Sequence, residues 1–183
     1  MESLIIVILL IILLAIWVMS TQRKLVVIDE NVNNAMNQIG VQLSSRFNAL
    51  TALLDLAKSY AAGDSQAMAG TIKSRYSVIT AKSAPEEVMK QEILISEALE
   101  YIAMVAEGCP ELKADKNYTK CMDAADSYEK MVRTSCLIYN DSVTKLNRSI
   151  RMLPTSLIAG MLGFHQRNYL EFTEDRDEST RHA

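Results

Sequence analysis

The sequence predicts an all-α protein in which an N-terminal transmembrane helix continues into an elongated antiparallel bundle of about four helices. Three observations carry that prediction. Leu4 to Val18 reads LIIVILLIILLAIWV, without one polar side chain. Beyond it, apolar residues recur every three or four positions for most of the chain, the stripe of a helix packed along one side. Three prolines and six glycines in 183 residues leave few turns for a β architecture.

The apolar run comes first. With Met19 it spans about 24 Å as a helix, short of the roughly 30 Å hydrocarbon core. Ser20 and Thr21 extend it, because a hydroxyl can bond back to a helical carbonyl, and a bilayer thins locally. Leu4, Ile8 and Ile12 form its body, and Trp17 falls where an amphipathic ring prefers the headgroup level. Arg23 and Lys24 follow, while Glu2 and the α-amino group are all that precede it. That asymmetry predicts a single pass with the N-terminus outside and the rest cytoplasmic. A cleaved signal peptide would have its basic residues before the apolar core and a small-residue cleavage site after it. Neither is present, so residues 1–22 read as a retained anchor contacting membrane lipid.

The net charge of −3 is roughly that of the tail, residues 171–183, where Glu171, Glu174, Asp175, Asp177 and Glu178 outnumber Arg176 and Arg181. This tail is expected to be solvated and disordered. Residues 23–170 are then near neutral, without the basic stripe that nucleic acid requires. Cys109, Cys121 and Cys136 are odd in number and lack CxxC spacing, the pattern of free thiols in a reducing cytoplasm.

The first bundle helix continues from the anchor. Leu25, Ile28, Val32, Ala35, Ile39, Leu43, Phe47, Leu50, Leu54, Ala57 and Ala61 keep its stripe, and Gly40 is its weak point, at about 1 kcal/mol relative to alanine. Thirty-seven residues from Leu25 to Ala61 extend roughly 55 Å. Gly63 suits a left-handed stop. A second helix is expected over Gln66 to Lys82, with Met68, Ile72, Tyr76 and Ile79 on one face. Ser83 and Glu86 have capping-box spacing and Pro85 suits a first turn, so a third helix runs from Pro85 to about Ala106 through Val88, Ile95, Leu99, Ile102 and Val105. A loop, Glu111 to Lys116, holds Asp115 as an N-cap. The last long helix carries Tyr118, Met122, Ala125, Val132, Cys136, Tyr139, Val143, Leu146, Ile150 and Leu153, and Pro154 stops it. These stripes are wider than a two-in-seven seam, which favours an intramolecular core over a dimeric coiled coil.

Tyr139-Asn140-Asp141-Ser142-Val143, Asn147, Ile150, Pro154, Leu157-Ile158-Ala159 and Gly163-Phe164 resemble the C-terminal signature of the LemA family. Asp29-Glu30, Gln38-Ile39, Val41-Gln42-Leu43 and Arg46-Phe47-Asn48 are similar to that family's first-helix motif, and Pro110 to Asp115 and Tyr169-Leu170-Glu171 fit in order. Thr51 stands where a proline is common, and Cys109 where an aromatic residue is usual. The resemblance implies one N-terminal membrane helix, a short outside N-terminus, and an all-helical bundle inside a bacterial cell membrane. It supplies no reaction.

The residues themselves point away from catalysis. No Glu-x-x-His pair exists, and His165 and His182 both lie near the C-terminus, so no metal or other cofactor is expected. Cys136 falls on the apolar stripe as a small hydrophobe rather than a nucleophile. Tyr139, with Asn140 and Asn147 beside it, either fixes helix register or receives a partner or small ligand. Arg46 is expected to pair with Glu129, the one charge on the last stripe. Thr155 to Phe172 is the functional candidate, with Leu157, Ile158, Met161, Leu162 and Phe164 either capping the bundle or docking on a membrane surface or protein partner. The expected function is a membrane-anchored, self-associating, homo-oligomeric scaffold or membrane-organising protein. The alternatives are a tethered adaptor or signalling module for a soluble partner and, more remotely, a subunit that borrows an active site.

Overall fold

The computed structural model describes residues 1–60 and 64–171, and of residues 64–68 the backbone alone. The expected Gly63 stop, the Met68 side chain and the tail beyond Glu171 lie outside the described residues. Six helices and no strand occur among those described.

Helix α1, Glu2–Tyr60, is the element that touches every other one. Its first part, to Ile16, is exposed and apolar, and the Thr21 hydroxyl donates to the Trp17 carbonyl at 2.9 Å, which keeps a polar side chain satisfied at the end of the run. From Leu25 onward the same helix buries Val32, Ala35, Ile39, Leu43, Leu50, Leu54 and Ala57, as the stripe predicts. No break separates the two parts.

The chain then alternates in direction. Helix α2, Asp64–Arg75, descends beside α1, where Lys73 Nζ bonds the Asp55 carboxylate at 3.2 Å. Residues 76–84 continue downward without helix. Here the structure corrects the expected Gln66 to Lys82 helix. Tyr76 stacks flat on Phe47, with ring centroids 3.7 Å apart, and its hydroxyl lies 3.1 Å from that of Ser44. Gln91 binds Ser77 at both backbone and hydroxyl, and Ile79 lies over Gly40. These tertiary contacts override a spacing that also suits a helix.

Helix α3, Pro85–Gly108, ascends parallel to α1, bringing Glu92 to Arg46 and Ala106 to Ala57. Its N-cap is Ala84, not Ser83. The Glu87 carboxylate accepts from the Ala84 N–H at 3.3 Å, while the Ser83 hydroxyl accepts from Thr80. The expected loop from Glu111 is a short helix, α4, Pro110–Ala114, whose Leu112 closes the far end against Ala57 and Ala106. Asp115 does cap the next helix, accepting from the Asn117 N–H at 2.7 Å.

Helix α5, Lys116–Arg151, descends along the bundle part of α1, from beside Tyr60 to the level of Ile28 and beyond. Leu153, expected to end its stripe, lies beyond the helix and is 76% exposed. A short helix α6, Thr155–Met161, follows, and residues 162–171 turn back upward as a strap. α2 ends near Phe47, and the segment 76–84 that joins it to α3 reaches down only to the level of Gly40. Below it, α1 and α5 are paired without them, and the strap supplies the third side. Leu170, 2% exposed, belongs to the same core cluster as Val32, Tyr139 and Val143.

Candidate functional site

Two polar constellations and one apolar surface hold the residues singled out from the sequence. The first centres on Arg46, 2% exposed in the middle of α1. Its two terminal nitrogens divide between helices, one bonding Glu92 Oε2 of α3 and the other Glu129 Oε2 of α5 at 2.6 Å. Arg133, one turn on, grips the second oxygen of Glu129 at 2.9 Å. The expected Arg46–Glu129 pair is therefore present, and Glu92 is an addition. Burial pushes the Glu92 carboxyl above its ordinary range, and the nearby Arg46 offsets only part of that. Arg46 Nε and Glu92 Oε1 are buried without a protein partner.

The second constellation explains Tyr139, Asn140 and Asn147. Each asparagine reads one residue of the strap through both of its backbone groups. Asn147 donates to the Arg167 carbonyl and accepts from the Arg167 N–H, both at 2.9 Å. Asn140 does the same with Leu170, at 2.8 and 2.9 Å. The spacing is dictated by geometry: seven helical residues rise about 10.5 Å, close to the roughly 10 Å that three extended residues cover. Between them the Tyr139 hydroxyl donates to the Asn168 carbonyl at 3.0 Å. Burial raises the Tyr139 pKa, so the phenol stays a donor. Arg167 adds a contact to Asp29 of α1 at 3.1 Å.

Asn147→Ala removes both bonds to Arg167 and is expected to cost about 1–3 kcal/mol. The effect should be local, seen as faster hydrogen exchange in a peptide covering residues 164–171. Unchanged exchange there would mean that the side-chain amides do not hold the strap.

The third feature is α6. Its Ile158 and Ala159 turn inward, 7% and 0% exposed, whereas Leu157 and Met161 turn outward at 67% and 88%. Leu162 is exposed and Phe164 half-buried. The segment thus splits by face: one side caps the bundle, and the other is free. The anchor residues Leu4, Ile8 and Ile12 are exposed, Trp17 is half-buried, and Arg23 and Lys24 are exposed immediately before buried Leu25. α1 is the one helix among the described residues that is long and apolar enough to cross a membrane, and only 6% of its most apolar window is buried.

Cys136 is buried, and burial, with Glu92 nearby, pushes its thiol up to about 12, so it is no nucleophile at neutral pH. Among the described residues no group of three or more His, Cys, Asp or Glu side chains is placed to hold a metal ion.

Sequence reasoning missed Glu92, though a signal existed. Between Val88 and Ile95 the apolar stripe of α3 skips one position, and Glu92 fills it. It also missed Arg148 and Arg151, which the descent of α5 brings to the end of the bundle where Arg23 and Lys24 stand.

In comparisons with known proteins, residues 35–181 match the model of the LemA family. No curated protein matches the chain.

Proposed function

The chain belongs to the LemA family, and on that footing we propose that it is a membrane-anchored, self-associating scaffold or membrane-organising protein with no catalysis of its own. One observation carries the reading. α1 is a single helix in which the exposed apolar run passes without a hinge into the deepest core residues. A bundle built on its own anchor is coupled rigidly to the membrane, and a signal sequence removed near Ser20 would leave Leu25 and Ile28 at a frayed end. Arg23 and Lys24 support placing the bundle on the cytoplasmic side of a bacterial inner membrane, with the N-terminus outside. Val41, Ile93, Met104 and Leu137 are among the apolar side chains exposed on the bundle and available for contacts between copies.

The adaptor reading has one observation of its own. A groove of about 400 Å³ runs between α1 and α5, lined by Gln38, Gln42, Lys130, Met131 and Thr134 among others. The mass distribution of full-length protein extracted into polymer discs separates the two. The scaffold predicts one large defined assembly that is lost when residues 1–22 are deleted. A monomer that persists at high concentration overturns it and leaves the adaptor.

A further inference from the structure

We propose that α6 and the turn before it seat on the surface of the bilayer that α1 crosses, with anionic headgroups as the partner. The inference rests on the reading of α1 as an anchor. Three observations beyond that reading carry it.

The first is level. The antiparallel register pairs Arg46 with Glu129, and Ile28 and Ala35 border the same groove as Ile138 and Lys145. Continued residue for residue, it puts Arg151 beside Lys24, so α6 stands where α1 leaves the anchor. Leu25 lies eight residues past Trp17, about 12 Å along the helix. The headgroup layer accounts for roughly 5–8 Å of that. A tilt of about 20°, common for membrane helices, lowers a group packed 10 Å off the axis by a further 3–4 Å.

The second is the face. Leu157 and Met161, one helical turn apart, are 67% and 88% exposed, and Leu153 in the turn before them is 76% exposed, while Ile158 and Ala159 hold the same helix against the bundle. A short amphipathic element with its apolar side unpartnered suits the boundary between headgroups and acyl chains.

The third is charge. Between Glu2 and Asp29, and between Asp141 and Glu171, the sequence has no acidic residue. The fold gathers these two stretches at one end. Arg23, Lys24, Arg148 and Arg151 are exposed at that end, while Lys145 and Arg167 are paired with Asp141 and Asp29. Four cations, with Asp29 already held by Arg167 and Glu30 the nearest other acid, favour anionic lipid over an identical surface on a second copy, which would oppose like charges. The strap then carries the chain away, so that Glu171 follows Leu170 at the level of Asn140 rather than beside the cations.

Trp17 is the single tryptophan, which makes the test direct. Full-length protein is reconstituted in vesicles of phosphatidylcholine and phosphatidylglycerol carrying bromine near the headgroup end of the acyl chains. In the native chain, quenching of Trp17 reports the anchor. In the W17F background, Leu157→Trp and Met161→Trp report α6, and Leu137→Trp, exposed far up α5, is the reference. Quenching of both α6 probes about three-fold or more above the Leu137 probe is expected for side chains at the interface. That excess should shrink when Arg148 and Arg151 are both replaced by glutamate. If Trp17 is quenched but the α6 probes match the reference, the seating is wrong and the anchor stands. If the α6 probes resist quenching yet shift blue as protein concentration rises, a second copy covers the patch and the proposal is overturned. If Trp17 itself is unquenched, the anchor reading fails and the proposal with it.

Discussion

Arg46→Ala is expected to cost about 3–5 kcal/mol of folding stability, the penalty for stranding a buried charge. Arg46 bonds Glu92, which is 8% exposed, and it also joins α3 to α5 through Glu129. Removing it leaves the Glu92 carboxylate in a low-dielectric core with only the coulombic pull of Arg133, while Glu129 keeps its direct bonds to Arg133 and a route to water. Glu129→Ala should therefore cost clearly less. Since burial already raises the Glu92 pKa, the sign of the pH dependence follows. A carboxyl that is harder to ionise when folded favours the folded state below its unfolded pKa and loses that contribution as pH rises through the folded value. Without Arg46 the rise in pKa grows, so the deficit of Arg46→Ala should be smaller near pH 4.5 than near pH 7.5. Urea unfolding of the full-length protein in detergent, followed by helical circular dichroism at both pH values, measures this. Replacing Arg46 and Glu92 together by leucine should recover most of the loss, because a buried pair adds little beyond an apolar pair of similar volume. Equal deficits at the two pH values would mean that Glu92 is not stranded as a charge.

How far this arrangement could be read from the sequence depended on whether the signal was periodic. The stripes of α1 and α5 are repeated side chains on one helical face, and both helices stand where the pattern puts them, as does the Asp115 cap. Charges interrupting a stripe were half legible: Glu129 stood out against apolar neighbours, whereas Glu92 went unnoticed because Val88 and Ile95 still fit with one position skipped. Asn140 and Asn147 were visible as polar residues off the core face, but their purpose was not. Their partners are backbone groups of Arg167 and Leu170, and a main-chain carbonyl leaves no mark in a sequence. The cations at the anchor end were hidden for another reason. Arg23 and Arg151 lie far apart along the chain and come to the same end only because four elements alternate in direction.

Gly40 shows the same limit most sharply, since helix propensity alone predicts the wrong sign for its replacement. In the interior of a helix, glycine to alanine gains about 1 kcal/mol. At Gly40 an added Cβ would lie 2.2 Å from the carbonyl oxygen of Ile79 and 3.0 Å from its carbonyl carbon. Those are backbone atoms, so no rotamer change relieves the clash. Either residues 76–84 lift away from α1 or α1 bends. Lifting would disturb Ile79, 4% exposed, the Tyr76–Phe47 stack and the Gln91 bonds to Ser77 together. Overpacking of this kind costs about 1–3 kcal/mol, and a clash against main chain belongs at the upper end. Net of the propensity gain, Gly40→Ala should lose about 2 kcal/mol, or roughly 4–8 °C in Tm for a domain of this size. Gly70→Ala is the matched control, being a helical glycine with nothing within 4 Å of an added Cβ, and it should be neutral or stabilising. If both variants melt higher than the native protein, residues 76–84 do not rest on Gly40. If only Gly40→Ala melts lower, the glycine is there because a non-helical segment must cross α1 at backbone distance. The same contact sets how far α2 and α3 descend, and so where the strap must take over the core.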